Sequence, residues 1–167
     1  MNPRPLLAIL GLQVVFHVAG ASSSTSFLCL SLLSSLVLLS SERDFESMAA
    51  ELNRDGTRAS APSMVFGKSG VKHEFSFGLT GASGTPKVVV DTELSVKEVE
   101  EMKVLKFYVK VFDVSPTKAI LCVSPRLSDK ARQLAEEYGI TVIEDEVPRN
   151  LIPLARKEVM SLLSRGS

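Results

Sequence analysis

The spacing of apolar and polar positions across residues 42–167 predicts an alternation of helices and strands. Apolar side chains recur every three or four positions in four stretches, as on one face of a helix. The predicted helices cover 45–53, 95–112, 128–138 and 151–163. Runs that alternate, or that are apolar throughout, predict strands over 58–66, 71–79, 87–94, 118–124 and 140–143. The predicted order is αβββαβαβα.

Local signals support the ends of these elements. Asp44 is placed to cap the first helix, and Ser95 with Glu98 has the spacing of a capping box at the second. Ser128 is placed to cap the third helix, and Gly139 follows its end, where glycine is favoured. The charged residues of the second and third helices indicate faces exposed to solvent.

The strand pattern predicts the fold class. The continuous apolar run 119–123 is typical of a parallel strand covered on both faces. Three early strands joined by turns predict an antiparallel meander, and the later β-α-β order predicts a right-handed crossover. We therefore expect an α/β fold, a three-layer sandwich around a mixed sheet.

Residues 1–41 differ from the predicted α/β domain, which spans 42–167. The 37 residues from Pro5 to Ser41 include no Asp, Glu, Lys or Arg, and two apolar runs, 6–21 and 27–39, flank a serine-rich stretch. Each run is shorter than the roughly 20 apolar residues of a spanning helix. A tight helical hairpin over 6–39, with Arg4 cytoplasmic, would anchor a cytoplasmic domain to the membrane.

Two other interpretations of this segment stay open. A secretory signal would use Leu6 to Val18 as its apolar region and Ala19-Gly20-Ala21 as its cleavage site. Alternatively, the natural start is Met48 or Met64, although Met48 lies inside the first predicted helix. That last interpretation predicts a cytoplasmic protein.

Charge and cysteine usage narrow the function classes. The chain has 19 basic and 19 acidic side chains, so its formal net charge is zero. Non-specific nucleic-acid binding usually rests on a basic surface, which this balance does not indicate. Cys29 and Cys122 lie in apolar runs without metal-ligand spacing, so we expect small buried hydrophobic residues and no disulfide or zinc framework.

Three short motifs accompany the predicted element order. They are Gly67-Lys68-Ser69-Gly70 leading into His73-Glu74-Phe75, then Val88-Val89-Val90-Asp91, then Leu127-Ser128-Asp129-Lys130-Ala131 ahead of Gly139-Ile140. With these motifs, the order α-β-β-β-α-β over residues 44–144 resembles the core of the restriction-endonuclease-like, or PD-(D/E)XK, superfamily, in particular its small archaeal and type IV restriction-enzyme branch. The resemblance implies DNA as a partner, a homodimer and, in an active member, Mg²⁺ as the cofactor.

Nucleases of that family hold Mg²⁺ with an acid on the second strand and an acid-x-Lys on the third, whose lysine helps to activate the attacking water. Here Ser76 stands where the aspartate is expected. Asp91 matches the acid of the third strand, but Glu93 occupies the lysine position. Strand alternation places Asp91 and Glu93 on one face, and Glu74 and Ser76 on one face of their own strand.

By this resemblance the candidate metal ligands are Glu74, Asp91 and Glu93. The candidate catalytic set adds Lys103 from the following helix, with Lys97 as an alternative. Capping and solvation explain Asp91 and Glu93 equally well, because both precede the start of a predicted helix.

The stretch Gly67-Lys68-Ser69-Gly70 is predicted to be a tight turn between two strands. It lacks the spacing and the strand-to-helix setting of a phosphate-binding P-loop. His73 is expected to be packed and hydrogen-bonded. With two histidines in the chain and none near Ser124, Ser128 or Cys122 in sequence, a nucleophilic triad is not expected.

Three functions therefore stay open. The first is a nuclease-fold protein whose catalytic centre has degenerated and which acts as a nucleic-acid-associated or protein-interaction module. The second is an active Mg²⁺-dependent endodeoxyribonuclease with a rearranged acidic site. The third is a membrane-tethered interaction protein unrelated to nucleic acid.

Overall fold

The structure is a computed structural model that describes residues 43–53, 58–81 and 84–165. Its strands are β1 (Arg58–Ser60), β2 (Ser63–Phe66), β3 (Lys72–Phe75), β4 (Phe77–Thr80), β5 (Pro86–Leu94), β6 (Lys118–Ser124) and β7 (Thr141–Glu144). Its helices are α1, which includes 43–53, then α2 (Glu101–Val114), α3 (Asp129–Glu137) and α4 (Leu151–Arg165), with a 3₁₀ turn at Pro148–Asn150.

Five strands form one mixed sheet in the order β1-β4-β5-β6-β7. The strands β5, β6 and β7 are parallel, whereas β1 and β4 are antiparallel to their neighbours. The strands β2 and β3 pair with each other in a separate two-stranded sheet. The predicted α/β class with a mixed sheet is confirmed.

Helices flank both faces of the five-stranded sheet, because the side chains of its central strands alternate between two apolar clusters. One cluster joins the sheet to α1 and α4; among its members are Phe45, Met48, Leu52, Phe77, Val90, Ile120, Cys122, Leu151 and Val159. The other joins it to α2 and α3; among its members are Phe75, Val89, Val104, Phe107, Leu121, Val123, Ala131 and Ala135. This layering is that of a three-layer sandwich.

The predicted strands 58–66 and 71–79 are each divided in two, so five strands precede α2 where the sequence predicted three. Pro62 lies at the first division, and proline has no N–H to donate to a ladder. Ser76 lies at the second, where its N–H and its hydroxyl both donate to the carboxylate of Asp91. Residues 58–80 thereby contribute strands to both sheets.

The second helix begins at Glu101, later than the predicted start at Ser95. Val99 is buried and forms a parallel bridge with Leu127, which holds residue 99 outside the helix. The predicted capping box between Ser95 and Glu98 is therefore not formed. Burying an apolar side chain here outweighs one local cap.

Other local predictions are confirmed. The Ser128 hydroxyl accepts a hydrogen bond from the N–H of Ala131 at 3.2 Å and caps α3. Gly139 follows that helix with φ of 66°. Cys122 is fully buried in β6. By contrast, the predicted cap of the first helix is wrong, because α1 already includes Arg43 and Asp44 lies inside it.

The predicted anchor at 6–39 lies outside the described residues. Within 43–53, 58–81 and 84–165, no helix is both long and apolar enough to cross a membrane. The division of the chain at residue 41 stays a prediction.

Candidate functional site

Asp91 and Glu93 lie on the face of β5 that α2 covers. They follow Val89 at every second position of the strand, and Val89 belongs to the apolar cluster beneath α2. Because α2 is the crossover between the parallel strands β5 and β6, it runs back along the sheet, and its first turns lie near the end of β5. Lys103 and Lys110 project from α2 toward these two carboxylates.

Lys110 is enclosed by three protein groups. Its ammonium forms an ion pair with Asp91 Oδ2, donates to the main-chain carbonyl of Glu74 at 2.7 Å and lies 4.8 Å from the ring centroid of Phe75. An ammonium has three donors, and here an anion, a carbonyl and an aromatic face surround it.

The other oxygen of Asp91 holds the junction between β3 and β4. Asp91 Oδ1 accepts from the Ser76 N–H at 3.2 Å and from the Ser76 hydroxyl at 3.0 Å. We call Asp91, Lys110 and Ser76 the Asp91 clamp. It ties α2, β5 and the point where the chain passes between sheets to one carboxylate.

Glu93 and Lys103 form a second, more open pair. Their charged atoms are 2.8 Å apart, and the Lys103 side chain is 50% exposed. By contrast, the side chains of Asp91 and Lys110 are 21% and 27% exposed. Water screens the Glu93–Lys103 pair more strongly than the Asp91–Lys110 pair, so the Glu93–Lys103 pair contributes less to stability.

Glu74 does not join the two acids of β5 through its carboxylate. On β3, His73 and Phe75 face α2, where they contact Asp113 and Phe107, so the exposed Glu74 side chain lies on the other face of the strand. Glu74 reaches the clamp through its main-chain carbonyl alone. Among the residues described, no group of three or more His, Cys, Asp or Glu side chains is arranged to hold a metal ion.

The structure therefore brings together three of the four predicted site residues: Asp91, Glu93 and Lys103. Sequence reasoning missed Lys110, although it follows Lys103 by seven positions, two turns along the same side of a helix. This seven-residue spacing is the feature of the sequence from which Lys110 could have been predicted. The alternative, Lys97, precedes α2.

A second polar cluster lies at the other end of α2. Asp113 accepts from the Ser69 N–H at 2.8 Å and from the Ser69 hydroxyl at 2.6 Å, and it bonds His73 Nε2 at 2.7 Å. These bonds, the Ser69 hydroxyl foremost and then His73, lower the pKa of Asp113 from 3.8 to about 2. We call Ser69, His73 and Asp113 the Asp113 clip.

The clip explains the turn at 67–70, which is confirmed as a turn between two strands. A Cβ added to Gly67 would lie 1.8 Å from Asp113 Oδ2, so only glycine allows this approach. The Ser69 hydroxyl donates to Asp113, so no His–Ser relay for nucleophilic attack exists here. The clip fixes the β2–β3 hairpin to the end of α2.

The outward face of α2 is apolar. Met102, Leu105, Val109 and Phe112 are between 37% and 69% exposed. At 100° per residue they lie opposite the buried side of the helix. We call these four residues the α2 stripe. Sequence reasoning treated this helix as charged on its solvent side and missed the stripe.

No protein-family model and no curated protein sequence matches this chain. Its fold is similar to that of a crystal structure described as a protein of unknown function, AF1548, with a TM-score of 0.47 and 16% sequence identity. The similarity covers 61% of this chain and 56% of that one, so it spans little more than half of that protein. A likeness this remote carries no functional inference.

Proposed function

We propose that this chain is a nuclease-like α/β domain that binds a partner and does not carry out metal-dependent cleavage. The observation that carries the proposal is the Asp91 clamp. Each oxygen of the one acid that matches the nuclease motif already has protein partners. Asp91 acts there as a structural anion.

A divalent cation at Asp91 would have to displace the Lys110 ammonium, which already pairs with this carboxylate. Mg²⁺ takes oxygen ligands in near-octahedral geometry, usually from one or two carboxylates together with water and substrate phosphate. Glu93 is the nearest second acid in sequence, and Lys103 pairs with it. A cation would therefore compete with two lysines, and Glu74 directs its carboxylate elsewhere.

The surface around α2 and the end of β5 favours a protein partner over DNA. Lys103 and Lys110, the lysines beside β5, are both neutralised by acids of the same chain, and the formal net charge is zero. Exposed apolar side chains are instead grouped along α2. Grouped apolar residues on a surface are typical of protein–protein contact, whereas binding to a phosphate backbone depends on unpaired basic side chains.

Titration of Mn²⁺ into the full chain, followed calorimetrically, tests this function together with cleavage of supercoiled DNA in Mg²⁺ and in Mn²⁺. We expect no saturable binding and no cleavage above background. The matched variants are Asp91→Ala and Asp129→Ala, the latter removing an acid from the first turn of α3. Metal binding or cleavage lost in Asp91→Ala and kept in Asp129→Ala would overturn the proposal.

The second candidate is an active endonuclease with a rearranged site, and one contact favours it. Lys110 supplies an ammonium beside Asp91, so a helix lysine stands in for the one that Glu93 replaces. In this function Asp91 and Glu93 would hold Mg²⁺, and Lys110 would position the attacking water once the metal displaces it. It predicts metal-dependent cleavage that is lost in both Asp91→Ala and Lys110→Met.

A further inference from the structure

The α2 stripe has a spacing that reads the same in both directions along the helix. Its members are separated by three, four and three positions. This is the spacing of the apolar seam of a coiled coil, in which each helix covers the seam of another. Within the described part of the chain, the four side chains stay between 37% and 69% exposed.

We infer that α2 packs antiparallel against α2 of a second copy of this chain, with the stripe as the shared seam. The inference rests on the proposed function, because it names the partner of the same surface. A twofold axis makes such a contact isologous, so the surface must be complementary to itself. The symmetric spacing meets this requirement.

Turning one helix antiparallel to the other pairs the stripe residues. With the axis crossing α2 at the level of Phe107, Met102 lies opposite Phe112 of the second copy, and Leu105 lies opposite Val109. The twofold axis repeats both pairs. A long flexible side chain thus meets a large ring at each end, and two aliphatic pairs fill the centre.

The width of the stripe favours a helix as its occupant over a lipid surface. At 100° per residue, the stripe spans about 80°, which is narrower than the apolar face of more than 100° on helices that cover a broad core. Helices that lie in a membrane interface need a broad apolar face, whereas a helix partner needs only a seam. Charged residues flank the stripe, with Lys106 on one side and Glu101 on the other.

One flank offers a single opposite-charge pair across the same axis. In an antiparallel pair each flank faces the same flank of the other copy, so Lys106 faces both Lys106 and Asp113 of the second helix. Side chains on a helix lean toward its N-terminus. The two lysines therefore lean apart, and each leans toward Asp113 of the other copy.

The opposite flank is fixed before contact. The ring of Tyr108 stacks on Tyr138 of the same copy at 3.8 Å between centroids, so its position is set in the single chain. Preorganised groups of this kind reduce the entropy cost of association.

Sedimentation velocity of the full chain at about 1 to 500 µM measures the association. One pair of four-turn helices buries less than the roughly 800 Å² per partner of a standard interface, so we expect a dissociation constant in the micromolar range. Val109→Glu should raise that constant at least tenfold. The matched control, Met160→Glu, changes an exposed methionine of α4 and should leave it unchanged.

A wild-type chain that stays monomeric throughout this range overturns the inference, and so does self-association that persists in Val109→Glu. Folding of each variant is checked by circular dichroism. These results are independent of metal binding and DNA cleavage, so failure of the dimer is distinguishable from failure of the proposed function.

Crosslinking tests the antiparallel geometry itself. In a Cys29→Ser background, Lys106→Cys places one thiol on each side of the twofold axis, close enough for a short bis-maleimide to join them. Lys130→Cys, on the exposed side of α3, is the control. Crosslinked dimer from Lys106→Cys alone supports the arrangement, whereas no crosslink, or equal yields from both variants, overturns it.

Discussion

The contribution of the Asp91 clamp to stability can be measured by a double-mutant cycle with Asp91→Ala, Lys110→Met and the double variant. Asp91→Ala removes two hydrogen bonds from Ser76 and leaves the Lys110 ammonium in a half-buried site without its anion. We expect a loss of about 2–3 kcal/mol in the free energy of unfolding.

Lys110→Met keeps most of the aliphatic stem over Phe75 and removes the charge. Asp91 then keeps only its bonds from Ser76, and we expect a loss of about 1–2 kcal/mol. Because the two single variants remove the same ion pair, the double variant should lose less than their sum. The expected coupling energy is about 1 kcal/mol or more.

Urea unfolding followed by far-ultraviolet circular dichroism is the assay, since the chain has no tryptophan. The matched control is the same cycle on Glu93→Ala and Lys103→Met, the more exposed pair on the same face. Exposed ion pairs typically contribute 0.2–1 kcal/mol, so we expect a coupling of about 0.5 kcal/mol or less there.

Equal coupling energies in the two cycles would refute a structural role for the clamp. So would an Asp91→Ala variant that is more stable than the wild type, because functional sites often hold charged groups at a cost to stability. That second outcome would favour the active endonuclease over the binding module.

Four further outcomes are expected. Ser128→Ala removes the cap of α3 and should cost about 1 kcal/mol in urea unfolding. Gly67→Ala forces a Cβ against the Asp113 side chain and should lower the free energy of unfolding in the same assay, because Asp113 must move and the clip must open. The pKa of Asp113 falls from 3.8 to about 2 on folding, so its stabilising effect is full above about pH 4 and is lost as the pH falls toward 2. In Asp113→Asn the free energy of unfolding should therefore depend less on pH between about 4 and 2. Burial raises the pKa of Cys122 to about 12, so maleimide at pH 8 should label it only after unfolding.

Much of the fold could be predicted because its signals are local. The continuous apolar run of β6 predicted a central parallel strand, because a strand covered on both faces has no exposed polar side. Ser128 and Gly139 bounded α3 because a cap and a left-handed residue act within one turn of the helix. These features depend on neighbours a few residues away.

The missed features depend on contacts between distant parts of the chain. The break at Ser76 is held by a carboxylate 15 positions further on. The late start of α2 follows from burial of Val99 against the loop before α3. Neither contact leaves a pattern in the local sequence.

The candidate site also has one part that local sequence predicts and another part that depends on tertiary packing. Alternation along a strand was enough to place Asp91 and Glu93 on one face. Which lysine each acid meets depends on how α2 crosses β5, and that angle is set by the packing of Val104 and Phe107 on the sheet. The exposed direction of the α2 stripe depends on the same packing.

The described sheet ends on two short strands, β1 with three residues and β7 with four. A sheet edge is where another chain can add a strand through main-chain hydrogen bonds, which are nearly independent of sequence. Edges this short offer few such bonds. We therefore expect the proposed partner contact to depend on side chains, so that single substitutions on a helix surface can change it while the backbone stays the same.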